Sequence, residues 1–142
     1  MKVLYIPTFI FMILLQGCAT LQNTTSVGNM QLINATYKHW SHPPSASSDI
    51  PERGTDLTIT VRNWPEKYTP QYIVYNKWRS SSAQISQKSD STMLITARII
   101  RMSAMLQKKK SETVDLTDRL VFKDDDGNTQ FIEIDSWHPS KE

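Results

Sequence analysis

The sequence predicts an all-β protein in which two antiparallel sheets pack face to face. Several short segments alternate apolar and polar residues, as half-buried strands do. Turn residues separate these segments at short intervals, and among them is an Asp126-Gly127 dipeptide of the kind that closes hairpins. A chain of 142 residues has the size of one domain around a single core.

The first β signal is MQLINATYKHW, residues 30–40, whose alternation predicts a half-buried strand. Residues 41–54 follow, with three prolines and no apolar periodicity, and predict a long loop. The segment DLTITVRNW then alternates most cleanly in the chain, with Leu57, Ile59 and Val61 on one face. We expect this second strand to face the core.

The middle of the chain predicts three further strands. Residues 71–78, QYIVYNKW, alternate, and residues 83–86 suit a short edge strand. Residues 92–102 are rich in Thr and Ile, which favours a strand. Apolar residues also recur there at helical spacing, so a helix near residues 93–108, and hence an α+β fold, is the alternative.

The segments RLVFK and TQFIEI flank Asp126-Gly127 and predict a closing hairpin. Six or seven short strands in about 110 residues are typical of an immunoglobulin-like two-sheet β-sandwich. The antibody pattern of two cysteines around a tryptophan is absent, and Trp64 or Trp78 is the candidate core tryptophan. We expect this β-sandwich domain to span residues 30–142.

The N-terminus has the features of a signal peptide. Lys2 precedes an apolar run from Val3 to Leu15. As a helix, 13 residues rise about 20 Å, less than the roughly 30 Å of a hydrocarbon core. Such a run, too short to span a membrane, is typical of a cleaved export signal.

Residues 15–18, LQGC, resemble the lipobox of bacterial lipoproteins. The resemblance implies that residues 1–17 are removed and that Cys18 is acylated on its sulfur and its new amine. Ala19 is not the aspartate that retains such lipoproteins in the inner membrane. The family therefore implies an outer-membrane lipid anchor on a domain that faces the periplasm of a diderm bacterium.

Cys18 is the only cysteine of the chain, so the exported domain has no free thiol in an oxidising compartment. Residues 19–29 are polar and uncharged, and we expect residues 18–29 to form a lipidated cysteine and a flexible tether. An alternative remains, because Gly17-Cys18-Ala19 also fits ordinary signal peptidase. Cleavage after Ala19 would discard the cysteine and release a soluble protein.

Two groups of residues invite a metal. Asp124–Asp126 precede Gly127 as in a calcium loop, but Phe122 then occupies the first ligand position, which needs an acid. A solvated hairpin turn is the simpler interpretation. His39 and His42 lie three residues apart, a spacing that suits a helix rather than a strand entering a loop. We therefore predict no metal site and no cofactor.

The sequence contains no nucleophile motif, and its 4 glycines are few for a phosphate-binding loop. A net charge of +2 and the three lysines at 108–110 fall short of a nucleic-acid surface. Five aromatic residues could form an exposed recognition face or pack in the core, namely Tyr68, Tyr72, Tyr75, Trp78 and Trp137.

We therefore expect a lipid-anchored, non-catalytic envelope lipoprotein. It would act through contacts with an envelope protein, as an accessory or assembly subunit or as a binding module. The alternative is a small secreted or periplasmic enzyme or metal-dependent protein that uses His39 and His42 or the turn Asp124–Asp126. The lipoprotein resemblance ends near residue 20 and implies nothing about the domain that follows.

Overall fold

The computed structural model describes residues 26–44, 50–102 and 110–141. In these ranges the chain forms strands and no helix. The strands are β1 (Ser26–Val27), β2 (Met30–His42), β3 (Glu52–Arg62), β4 (Thr69–Tyr75), β5 (Trp78–Arg79), β6 (Ala83–Lys88), β7 (Thr92–Met102), β8 (Glu112–Thr113), β9 (Arg119–Lys123), β10 (Thr129–Glu133) and β11 (His138–Pro139).

The strands form two sheets. Sheet 1 has the order β1-β2-β3-β7-β6, and β11 pairs in parallel with β2. Sheet 2 has the order β10-β9-β4-β5-β8. All the other pairs are antiparallel. The predicted all-β sandwich of two sheets is thus confirmed, with seven strands of five or more residues and four of two residues in the described ranges.

The core lies between the sheets and comes from the alternation of the strands. Leu57, Ile59 and Val61 on β3 are fully buried, as their spacing predicts. They share one cluster with buried residues of β4, β7, β9 and β10, which include Ile73, Ile95, Ile99, Leu120, Phe122 and Ile132. Each such side chain stabilises the fold by about 1.5–3 kcal/mol through its removal from water.

Strand β7 settles the alternative between strand and helix. It runs from Thr92 to Met102, pairs with β3 on one side and with β6 on the other, and is the strand that the sequence predicts. The helix alternative is wrong for residues 93–102, because β-branched side chains pack well between two neighbouring strands. Residues 103–108 lie outside the described residues.

Strand β2 differs from its prediction in two respects. It continues to His42, and β3 begins at Glu52, so the predicted loop of residues 41–54 is shorter at both ends. The alternation of β2 is also interrupted, because Leu32 pairs with Val61 and Asn34 pairs with the adjacent Thr60. Ile33 is thus the extra residue of a β-bulge.

The predicted strand of residues 71–78 is in fact a hairpin. Strand β4 ends at Tyr75, and β5 begins at Trp78 and pairs back against β4. The two residues between them, Asn76 and Lys77, have positive φ angles of 47° and 65°. Positive φ at both central positions is what a tight type I′ hairpin turn requires.

The sandwich has two distinct ends. Met30 of β2, Arg62 of β3 and the β9–β10 turn lie at the end where the chain enters from β1, which we call the proximal end. His42 and Tyr75 lie at the opposite, distal end. The surface at the proximal end therefore lies close to β1, and the surface at the distal end lies far from β1.

The predicted signal peptide and Cys18 lie outside the described residues. Most of the predicted tether also lies outside them, although β1 and the turn at Gly28 fall within its range and pair the chain to β2. In the described part of the chain, no helix is long and apolar enough to cross a membrane.

Candidate binding site at the distal end

A cluster of aromatic and basic side chains lies between the sheets towards the distal end. Tyr37 and His39 come from β2, Tyr75 ends β4, Arg101 lies near the end of β7, and Trp137 precedes β11. We call these five residues the distal cluster. The ring centres of Tyr37 and Tyr75 are 5.6 Å apart, and those of Tyr75 and Trp137 are 5.1 Å apart with nearly perpendicular planes.

The alternation of β2 places its two members of the distal cluster. Tyr37 pairs with Leu57 and His39 pairs with Thr55, so both share the face of β3 that forms the core. The ring centres of Tyr37 and His39 are 4.9 Å apart. Nδ1 of His39 is 2.8 Å from the buried hydroxyl oxygen of Thr55, which holds the imidazole against β3.

A β-bulge places Arg101. Gly54 pairs with Ile100 and Arg53 pairs with Met102, so that Arg101 is an extra residue of β7 without a partner on β3. A bulge changes the direction of a side chain locally and is common beside functional sites. Burial raises the pKa of Tyr75 in the facing sheet, and the charge of Arg101 opposes part of that rise.

Two members of the distal cluster have buried N–H groups without an acceptor. Within the described ranges, the side-chain atoms that are buried and unpaired are Nε of Arg101 and Nε1 of Trp137. Each buried donor without a partner costs about 1–3 kcal/mol. Both residues neighbour Tyr75, so this cost is concentrated at one place in the fold.

Tyr75 is held in its neutral form. Burial is the largest cause, and the nearby Tyr37 and Asp118 also raise the pKa of Tyr75 above its ordinary value, while Arg101 opposes them. The Asp118 carboxylate is fixed, because its Oδ1 accepts the backbone N–H of Asn76 at 2.7 Å. At neutral pH Tyr75 therefore keeps a hydroxyl hydrogen that it can donate.

The side chains of the distal cluster can donate hydrogen bonds to a hydrogen-bond acceptor. Arginine and the indole of tryptophan donate hydrogen bonds and accept none. The three aromatic rings offer an apolar wall beside these donors.

The two histidines predicted as an alternative metal pair lie on opposite faces of sheet 1. His39 is exposed on the face of β2 that carries Tyr37, whereas His42 shares the outer face with Trp40, whose ring centre is 5.0 Å away. Successive side chains of a strand point to opposite faces, so residues 39 and 42 diverge. Among the described residues, the one group with metal-ligand spacing is Asp124–Asp126.

The acidic turn serves the hairpin itself. Asp124 is buried rather than solvated, and its Oδ1 accepts the backbone N–H groups of Asp126 at 3.0 Å and of Asn128 at 2.8 Å. Its Oδ2 accepts Nε2 of Gln130 at 2.8 Å. Burial raises the pKa of Asp124, but these hydrogen bonds outweigh it and hold the pKa below its usual value.

The five aromatic residues considered as a recognition face do not form one surface. Tyr68 stacks on the buried Phe122 with ring centres 5.3 Å apart. Tyr75, Trp78 and Trp137 also pack against the core cluster. The guanidinium carbon of Arg79 lies 4.8 Å from the centre of the Tyr72 ring.

Of the lysine run, residues 108 and 109 lie outside the described residues, and Nζ of Lys110 lies 5.8 Å from the Trp78 ring centre.

The outer face of sheet 1 carries a second constellation. The Trp40 ring covers Gly54, where an added Cβ would approach the ring to 2.3 Å. Its Nε1 donates to Oδ1 of Asp56 at 3.2 Å, and Arg98 also donates to both oxygens of that carboxylate. A polar groove of about 420 Å³ opens beside Asp56 and Arg98. The charged groups of this face are therefore engaged with one another.

The sequence analysis did not identify Arg101 or Trp137 as members of one site. The available signal was a second arginine, Arg101, that follows Arg98 by three residues in the otherwise apolar segment ARIIRM. The bulge that places Arg101 depends on its pairing with β3, far away in the sequence. No known family model, curated protein or solved structure matches this chain, so the assignment of the site depends on geometry alone.

Proposed function

We propose that this protein is a lipid-anchored, non-catalytic lipoprotein of the cell envelope, and that it acts as a binding module. The LQGC segment supports the anchor through its resemblance to a lipobox. The observation that carries the binding role is the distal cluster, where two buried donors lack acceptors. A polar group left unsatisfied at a cost to stability is a feature of functional sites.

The position of the distal cluster also supports an anchored binding module. The chain enters the sandwich at the proximal end, and the distal cluster lies towards the opposite end. Seven residues separate Cys18 from Ser26, and eight residue steps of extended chain reach at most about 30 Å. A lipidated Cys18 would keep the proximal end near the membrane and leave the distal end accessible to a periplasmic protein.

The proposed fold is immunoglobulin-like. If the seven longer strands are lettered A to G in chain order, sheet 1 has the order A-B-E-D and sheet 2 the order G-F-C. This is the order described for constant-type immunoglobulin domains, which supports the proposal.

The anchor is tested by fractionation of cells that produce the full chain. We expect Cys18→Ala to move the protein from the membrane fraction to the soluble fraction, or to stop its maturation, because the thioether to the lipid cannot form. Gln16→Ala is the matched control, since this lipobox position is tolerant. Mass spectrometry that finds an unmodified N-terminus at Thr20 would contradict the proposal.

A further inference from the structure

We propose that the distal cluster binds a ligand that carries a carboxylate, with Arg101 and Trp137 as the donors that hold it. The proposal specifies the ligand chemistry of the binding module proposed above. It depends on three observations that are independent of the lipid anchor. These are the bulge at Arg101, the two orphaned N–H groups and the aromatic rings that meet at Tyr75.

The bulge supplies the cation. Arg101 is the extra residue of β7 beside Gly54, and it brings a permanent positive charge to the distal end of the sheet. The neighbouring Thr55 contacts His39, whose ring centre lies 6.4 Å from that of Tyr75. The Nε–H of Arg101 has no acceptor in the described ranges. A guanidinium binds a carboxylate through charge-assisted hydrogen bonds, which are roughly twice as strong as neutral ones. The guanidinium therefore favours an anion over a neutral acceptor.

Trp137 supplies a second donor and part of the wall. Its Nε1–H is buried without an acceptor, and its ring meets Tyr75 at a centre-to-centre distance of 5.1 Å. Tyr37 extends the same wall from β2. A ligand whose carboxylate adjoins a ring or another apolar group would satisfy the two donors and bury apolar surface against these rings.

The charges around the distal cluster favour a monoanion. Arg101 contributes a positive charge from the end of β7, and Asp118 contributes a negative one beside Tyr75, where its Oδ1 accepts the backbone N–H of Asn76 at 2.7 Å. A dianionic phosphate would bring two negative charges towards one guanidinium and one carboxylate. A carboxylate brings a single charge, so its desolvation is better compensated by one arginine.

The test uses the full chain purified in detergent, with calorimetry and thermal unfolding as the two measurements. Benzoate is the small probe, and benzamide is its neutral counterpart of the same shape. An acetylated tripeptide ending in phenylalanine, with a free or an amidated C-terminus, probes a peptide source of the carboxylate. Inorganic phosphate probes the competing anion.

We expect benzoate or the free-acid peptide to bind and to raise the Tm, and benzamide and the amidated peptide not to bind. Arg101→Gln should weaken binding at least tenfold, because it removes a charge-assisted bond worth roughly 1.5–3 kcal/mol. Trp137→Phe keeps an aromatic ring and should weaken binding by roughly threefold to tenfold through the loss of one N–H. Arg62→Gln, an exposed position at the proximal end of β3, should bind like the wild type.

Benzoate binding alone would assign the site to small carboxylates, and binding of the free-acid peptide alone would assign it to a chain terminus. Either result supports the proposal. The absence of binding by both carboxylates, equal binding of benzamide, stronger binding of phosphate, or unchanged affinity in a folded Arg101→Gln protein would overturn it. Fractionation of Cys18→Ala is independent of these measurements, so a failed anchor and a failed carboxylate site are distinguishable.

Discussion

At the scale of single residues, Trp64 and Trp137 differ in what their indole N–H groups donate to. Nε1 of Trp64 donates to the backbone oxygen of Tyr68 at 3.1 Å, whereas the buried Nε1 of Trp137 has no acceptor in the described ranges. Both rings pack against the same core. The two tryptophans thus carry the same indole N–H, and within the described ranges only that of Trp64 donates a hydrogen bond.

We predict that phenylalanine lowers the stability much more at position 64 than at position 137. Trp64→Phe loses a hydrogen bond worth about 1 kcal/mol and part of the buried ring surface. Trp137→Phe loses ring surface but also removes an unpaired donor, so its free energy of unfolding should stay close to that of the wild type. Urea denaturation of both proteins measures the difference, and equal losses would contradict the assignment of an orphaned N–H to Trp137.

At the scale of elements, the β4–β5 hairpin contains a residue that is unfavourable for its turn. Lys77 has a φ of 65°, a left-handed conformation that costs a residue with a Cβ about 1 kcal/mol or more and costs glycine almost nothing. Asn76 precedes it, so that one substitution creates the Asn-Gly pair that type I′ turns favour.

We therefore predict that Lys77→Gly stabilises the protein by up to about 1 kcal/mol, since the relief of strain exceeds the entropy that glycine adds to the unfolded chain. Lys67→Gly is a suitable control, because Lys67 is also exposed and has no positive φ. Chemical denaturation should show opposite changes for the two variants. A loss of stability in Lys77→Gly would contradict the strain assigned to the left-handed Lys77.

The β9–β10 hairpin contributes to the dependence of stability on pH. Hydrogen bonds from Asn128, Gln130 and Asp126 make the pKa of Asp124 lower in the folded chain than its ordinary value of 3.8. A carboxyl with a depressed folded pKa stabilises the fold above its unfolded pKa, and this contribution is lost as the pH falls through the folded value.

We predict that Asp124→Asn loses stability relative to the wild type at pH 6 and that this difference shrinks as the pH falls below 3.8. Thermal unfolding between about pH 2 and pH 6 measures this difference on both sides of the ordinary pKa of 3.8. Asp125→Asn serves as the control, since Asp125 is exposed beside the same turn. A difference that is constant with pH would contradict the role of the ionised Asp124 in the turn.

At the scale of the whole molecule, the end where the chain enters the sandwich is opposite the end that carries the distal cluster. If Cys18 carries the lipid, the proximal end lies close to the membrane and the partner approaches from the distal end. The exposed residues His42 and Lys77 mark the distal end, and Asp90 and Asp126 mark the proximal one.

We predict that a photoreactive amino acid at position 42 or 77 captures an envelope protein in living cells. The same group at position 90 or 126 should give no such product, because the membrane side is too close for a partner to approach. Immunoblots of ultraviolet-treated cells would detect the covalent product. Capture from the proximal positions alone would contradict the proposed orientation of the module.

Much of the fold could be predicted because alternation and turn residues act locally. Leu57, Ile59 and Val61 alternate with polar residues, and that pattern places them in the core whatever strand pairs with β3. The Asp126-Gly127 hairpin is equally local, with Gly127 at a φ of 82°. The turn at Asn76 was missed because a lysine occupies the position where a glycine would have marked it.

The sequence by itself predicted an all-β fold with a helix near residues 93–108 as the alternative, located most of the longer strands, and identified the single cysteine that resembles a lipid attachment site. Only the tertiary structure decided that β7 carries a bulge at Arg101 and that the Asp124 carboxylate accepts hydrogen bonds within its own hairpin. It also decided that the rings of Tyr37, Tyr75 and Trp137 meet. The physical reason is that alternation arises within one strand, whereas register, bulges and the meeting of side chains arise between segments that are distant in sequence.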